Sequence, residues 1–198
     1  MNSSLLELCK LIADEGAKYA HQHKELFLNV VKNTTGKVMP EEQVDTIYKI
    51  FSFLNWAYAN GIWSNLSNTT LRRDLMGQSM KSIILRTAHE LAKDKSNEGI
   101  AFFASGLDQE FREFALAYNK RIKKLSTEGI EPDANTATLC GLEWIQDHLG
   151  LNDDHMNVIV PQFNNRAGDV ARIEDIAKQV NQAANQRKRG FLSRLFGS

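Results

Sequence analysis

Apolar residues recur along this chain at intervals of three and four, and in one stretch they cover every face of the helix that such spacing implies. From Val44 to Trp63 thirteen of twenty residues are apolar, among them Ile47, Phe51, Leu54, Trp56 and Tyr58. A helix that is apolar all round must be covered on all sides, so this segment is predicted to be the centre of a helical domain. The neighbouring segments have the one-sided stripes suited to covering it.

Ser4, Leu5, Leu6 and Glu7 read as a capping box, in which hydroxyl and carboxylate satisfy free backbone N–H groups at a helix start. Leu5, Leu8, Ile12, Gly16, Tyr19, His23, Phe27 and Val30 then line one face of a first helix that runs out near Asn33 to Gly36. Pro40, Glu41 and Glu42 suit the first turn of the central helix, where proline loses no hydrogen bond and carboxylates meet the positive end of the dipole. Gly61 and the polar run from Ser64 to Thr70 break the chain. A third helix follows with a stripe of Met76, Met80, Ile84, Ala88 and Leu91, widened by Leu75 and Ile83.

After the turn from Lys93 to Asn97, a fourth helix carries Phe103, Leu107, Phe111, Phe114, Tyr118, Ile122 and Leu125 on one face. Its last turns hold Lys120, Arg121, Lys123 and Lys124, with Gly129 and Ile130 placed as a glycine cap. Pro132 and Asp133 open a fifth helix bearing Leu139, Leu142, Ile145 and Leu149, capped by Gly150 and Leu151. Met156 to Phe163 is too short a run for a decisive period: a short helix stopped by Pro161 and an extended segment both fit. Asn164 and Asn165 start a last helix through Val170, Ile173, Ile176, Val180 and Ala183, whose narrow stripe lies lightly on the body or pairs with another chain.

The pattern therefore predicts an all-α fold: a single helical-bundle-like domain of five to six main helices with a C-terminal helical extension. The expected division is a core domain over 1–163, then a C-terminal helix and tail over 164–198. At 198 residues such a core needs no covalent staples. Cys9 and Cys140 lie far apart in apolar helical contexts, which reads as reduced thiols in a reducing compartment and gives the expectation of a cytoplasmic protein. Glu7, Asp14 and Glu15 interrupt any signal-peptide run, and the uncharged window from Ile50 to Leu71 holds too many Ser, Asn and Thr residues to span a membrane.

The 24 basic and 24 acidic residues are unevenly placed. Four of the basic ones, Arg187, Lys188, Arg189 and Arg194, fall in the last twelve residues with no acid among them, leaving the body 20 against 24. An acidic body argues against nucleic acid as a partner. Arg72 with Arg73 and the cluster from Lys120 to Lys124 also lack an aromatic platform on which bases would stack.

Little catalytic chemistry is legible. Phosphate-binding glycine loops, H-E-x-x-H, G-x-S-x-G and C-x-x-C motifs are all absent. His21 and His23 point in different directions on a helix, and the expected reading is a core histidine at 23 and a solvated one at 21. Glu110 and Glu113 share a helix turn without a Glu-x-x-His partner and read as a solvated face. Asp147, His148, Asp153, Asp154 and His155 gather acids and imidazoles near a helix end, the basis for an alternative reading as a hydrolase or metal-dependent enzyme. The blander reading makes Asp153 or Asp154 a helix cap and His148 a cation at a helix C-terminus.

The tail is the feature that points to a function. Phe191, Leu192, Leu195 and Phe196 share one face of a short helix with Arg194 off it and Arg187, Lys188 and Arg189 before it. So short a helix must fold against something. The expectation is a non-enzymatic helical interaction or regulatory protein, without cofactor or metal. Its tail docks on a protein partner, a second subunit or an anionic membrane surface.

Overall fold

A computed structural model describes residues 3–63, 68–130, 134–163, 173, 175–179 and 182. Among them the chain forms six α-helices: α1 (Ser3–Thr35), α2 (Glu41–Trp63), α3 (Thr69–Leu91), α4 (Asn97–Thr127), α5 (Ala134–Leu149) and α6 (Asp153–Phe163). Residues 175–179 are helical as well. The fold is all-α.

The central position expected for α2 holds. It packs against α1, α3, α4 and α5, and from Ile47 to Ala59 every side chain except Lys49 is buried. α1 lies antiparallel to it, with Lys24 over the Tyr48 ring near one end and Asn55 bonded to Gly16 near the other. α1 also packs on α3 and α6.

Two devices bring these helices close. Ala13, Gly16, Ala17 and Ala20 present small side chains from α1, and a Cβ on Gly16 would stand 2.9 Å from Asn55 Nδ2. That space lets Asn55 Nδ2 donate to the carbonyls of Gly16 (2.7 Å) and Phe51 (3.1 Å) inside the core. Farther along, the Tyr19 and Tyr58 hydroxyls meet at 3.1 Å and Tyr58 reaches Thr138 Oγ1 at 2.7 Å, a buried chain of hydroxyls across α1, α2 and α5. Around this seam the apolar core closes through Phe27, Phe51, Phe111 and Phe163.

Several local expectations change. α1 already includes Ser3 and Ser4, so Ser4 lies within the helix rather than before it, and the buried stripe ends on Val31 rather than Val30. Gly61 does not break the chain: α2 continues through it to Trp63, and α3 begins already at Thr69, with Asn68 Oδ1 accepting from Leu71 N. On α3 the expected Leu75, Ile83, Ile84 and Ala88 are buried and are joined by Ser79, Ser82 and Thr87, while Met76, Met80 and Leu91 are only partly covered. Small hydroxyl side chains fit where helices approach, and Ser79 satisfies its own by donating to the Met76 carbonyl. Leu139 is exposed, the inward face of α5 being Thr138, Cys140, Leu142 and Ile145.

The segment from Met156 to Phe163 is helical. Pro161 sits inside α6 and does not stop it. Its cap is Asn152, whose Oδ1 accepts from His155 N, so neither Asp153 nor Asp154 has that role. Of the last predicted helix, Ile173, Ile176 and Ala177 are buried, and Trp63 Nε1 donates to the Ala177 carbonyl at 3.3 Å. The glycine caps are as expected. Gly129 (φ 76°) and Gly150 (φ 61°) are left-handed, with Ile130 N donating to Leu125 O and Leu151 N to Gln146 O.

Burial has a consequence at high pH. It pushes the Tyr48 and Tyr118 phenols up to about 12 and the Tyr58 phenol well above its usual value. A phenol whose folded pKa is raised binds its proton more tightly folded than unfolded, so its stabilising contribution is full below pH about 10 and is lost as pH rises toward 12. Thermal unfolding followed by circular dichroism should show Tm falling steeply across that window. Tyr48→Phe should make the fall shallower. An unchanged slope would mean that Tyr48 titrates in the folded state as it does in water.

Candidate functional site

The residues singled out in the tail, Arg187, Lys188, Arg189, Phe191, Leu192, Arg194, Leu195 and Phe196, lie outside the described residues. The other candidates can be placed. His23 is buried, its Nδ1 3.0 Å from the Tyr19 carbonyl, and His21 is exposed with Nε2 3.5 Å from a Glu90 carboxylate oxygen. The two imidazoles serve different surroundings, as helical spacing implies. Glu110 accepts from Lys49 Nζ at 2.7 Å and ties α4 to α2, while Glu113 accepts from Gln109 on its own helix.

The acids and imidazoles between 147 and 155 that have hydrogen-bond partners are bonded to other groups and not to one another. His148 Nδ1 is 2.9 Å from the Trp144 carbonyl one turn back in α5, Asp153 accepts from Gln146, and the His155 backbone N–H is bonded to the Asn152 side chain. Among the described residues no three His, Cys, Asp or Glu side chains converge to hold a metal ion.

What the fold does create is a long groove of about 850 Å³ between the N-terminal half of α3 and the C-terminal half of α4. With Leu75, Ser79 and Ile83 turned inward, Met76 and Met80 are left half-covered, and Gly77 and Ala115 have too little side chain to close the space between the helices. Trp56 floors the groove, its indole N–H held by the Met76 carbonyl at 3.1 Å. Leu116 stands on the wall with 72% of its surface exposed.

The rim is basic. Arg72, Arg73, Lys81 and Arg112 border the groove, with Asp108 bonded to Arg112 Nε at 2.7 Å and Asp74 Oδ1 3.8 Å from Arg73 Nε. The groove thus has a charge opposite to that of the acidic body. Its lining extends along α3 from Thr69 to Lys81, about three to four helical turns, with the apolar part at Met76, Gly77 and Met80.

Apolar periodicity assigns Met76 and Met80 to the core and leaves Arg72 and Arg73 as ordinary surface charges. The signal for the groove was the run of small polar residues at helical spacing, Ser79, Ser82 and Thr87, which takes the inward face that the methionines were given.

Trp56, Tyr58 and Trp63 are core residues, all buried, and only Trp56 borders the groove. Among the described residues no helix is long and apolar enough to cross a membrane. Comparison with protein families, curated proteins and solved structures finds no match for this chain.

Proposed function

We propose that this protein is a non-enzymatic interaction module that seats an acidic amphipathic helix of a partner protein in the groove between α3 and α4. The observation that supports the reading is the union, in one trough, of a methionine and tryptophan floor with a cationic rim. Flexible methionines adapt to the side chains laid on them, and a groove several turns long suits the apolar face of a helix. The four cations select glutamates or aspartates flanking that face. They also disfavour the chain's own tail, which carries Arg187, Lys188, Arg189 and Arg194. A flat membrane surface does not enter a concave trough.

The tail shares this preference for negative charge, and in this reading it docks on the same acidic partner. Burying Phe191, Leu192, Leu195 and Phe196 gains about 1.5 to 3 kcal/mol each before the cost of ordering the segment is subtracted. The net is small, so attachment through the tail is reversible and salt-sensitive.

The test is fluorescence anisotropy with a labelled helical peptide bearing leucines on one face and glutamates beside them, alongside a counterpart with lysines. The glutamate peptide should bind and the lysine peptide should not. Reversing two rim charges, Arg73→Glu with Lys81→Glu, should weaken binding by about tenfold or more without changing Tm. Equal binding of both peptides, or no effect of the reversal, would remove the groove from the reading. For the tail, the full chain and one lacking residues 190–198 are sedimented with anionic and neutral vesicles at low and high salt. Binding to anionic vesicles that the deletion abolishes would make a membrane surface the tail's target in place of the partner protein.

A further inference from the structure

A second concavity of about 160 Å³ lies between α2, α4 and α5, on residues that the groove does not use. Its walls are aromatic. Phe114 and Trp144 have ring centroids 4.1 Å apart, Phe53 and Phe114 5.6 Å, and Phe53 meets Tyr118 edge-on at 6.2 Å. Ile50 and Leu54 close the back. A space of this size between apolar side chains accommodates one six-membered aromatic ring.

One edge is polar, and its donors are not all used. Arg121 Nη2 donates to Glu143 Oε1 at 2.9 Å, bridging α4 and α5. Arg121 Nε is shielded from solvent and has no oxygen acceptor among the described residues, and the Cys140 thiol, which also borders the cleft, lies against the same guanidinium. A thiol is a weak acceptor, so an oxygen brought by a ligand would better satisfy this shielded N–H and displace only that contact. The charge of the edge restricts what that ligand is. Glu143 and Asp147 both border the cleft against the single guanidinium, so a carboxylate ligand would meet two negative charges and one positive.

We propose that this cleft binds a small neutral aromatic molecule, one ring in size, whose carbonyl or equivalent oxygen accepts from Arg121 Nε while the ring lies among Phe53, Phe114 and Trp144. The site is independent of the interaction groove and stands whether or not a partner helix binds there.

The probes are benzamide, with a neutral acceptor, benzoate, with an anionic one, toluene, with none, and benzyltrimethylammonium, with a positive charge. Binding is read from the three tryptophan indole N–H resonances in a proton–nitrogen NMR spectrum of the full chain. The indole N–H groups of Trp56 and Trp63 are held by the Met76 and Ala177 carbonyls and neither residue lines the cleft, which leaves Trp144 as the direct reporter. Benzamide should shift the Trp144 signal saturably and leave the other two in place.

Arg121→Met keeps the apolar stem and removes the donor. It should weaken benzamide by about tenfold while leaving toluene unchanged. Ala117→Leu fills the cleft and should abolish the shift with every probe. Absence of a Trp144 shift with benzamide up to its solubility limit would overturn the proposal. So would tighter binding of benzoate, which would show an anion site, or of benzyltrimethylammonium, which would show an aromatic cage for cations. Equal loss of benzamide and toluene in Arg121→Met would likewise overturn the role of the Nε donor.

Discussion

Replacing Phe51 with alanine should remove about 3 to 5 kcal/mol of stability, measured by urea denaturation. The ring is fully buried where three helices meet: it stacks on Phe163 of α6 at 5.7 Å and 10°, and lies 5.4 Å from His23 of α1. None of these neighbours can collapse into the space, because each is held by its own helix, so the cavity remains and its cost adds to the lost transfer energy. Domains of this kind are stable by about 5 to 15 kcal/mol, so the change takes a large share. Phe102 is the internal contrast. It has the same side chain, 82% exposed on α4, and its replacement should stay within about half a kcal/mol. Similar losses at both positions would contradict the packing.

Two glycines should respond with opposite sign. At Gly16 a Cβ would come within 3.0 Å of Asn55 Cβ and Cγ, so Gly16→Val drives the Asn55 side chain from the pocket in which it reaches the Gly16 and Phe51 carbonyls. Overpacking costs about 1 to 3 kcal/mol and the buried amide left without its acceptors a similar amount. The intrinsic helix gain on replacing glycine is about 1 kcal/mol at most and does not offset them. A methyl group added at Gly106 on α4 would meet nothing within 4 Å, so Gly106→Ala should raise stability by about 0.5 to 1 kcal/mol. A stabilised Gly16→Val protein would mean that α1 and α2 do not meet as closely as Asn55 requires.

The all-α class, the centrality of α2 and the glycine caps at 129 and 150 were legible because each rests on a local signal: apolar residues on all faces, or a glycine placed after a cationic helix end. The errors share a physical origin. Apolar periodicity assumes that the inward face is the greasiest one, whereas α3 packs closely by turning Ser79, Ser82 and Thr87 inward and leaving Met76 and Met80 at the surface of a groove. Gly16 is legible only as one point of a stripe, though its contact with Asn55 across α1 and α2 is a single device. Pairings of that sort join residues 39 apart and leave no trace in local spacing. The aromatic cleft is the same case: Phe53, Phe114 and Trp144 come from three helices, and Arg121 read as one cation of a helix end.

The central claim, that the groove between α3 and α4 seats an acidic amphipathic helix, is tested most directly by the methionine methyl signals in a proton–carbon NMR spectrum. Met76 and Met80 line the groove, while Met39 and Met156 lie elsewhere. Titrating the glutamate-flanked peptide should move the Met76 and Met80 methyls together along one saturable curve, with Met39 and Met156 unmoved. Unshifted Met76 and Met80 signals at peptide concentrations that saturate the anisotropy, or equal shifts with the lysine peptide, would contradict it.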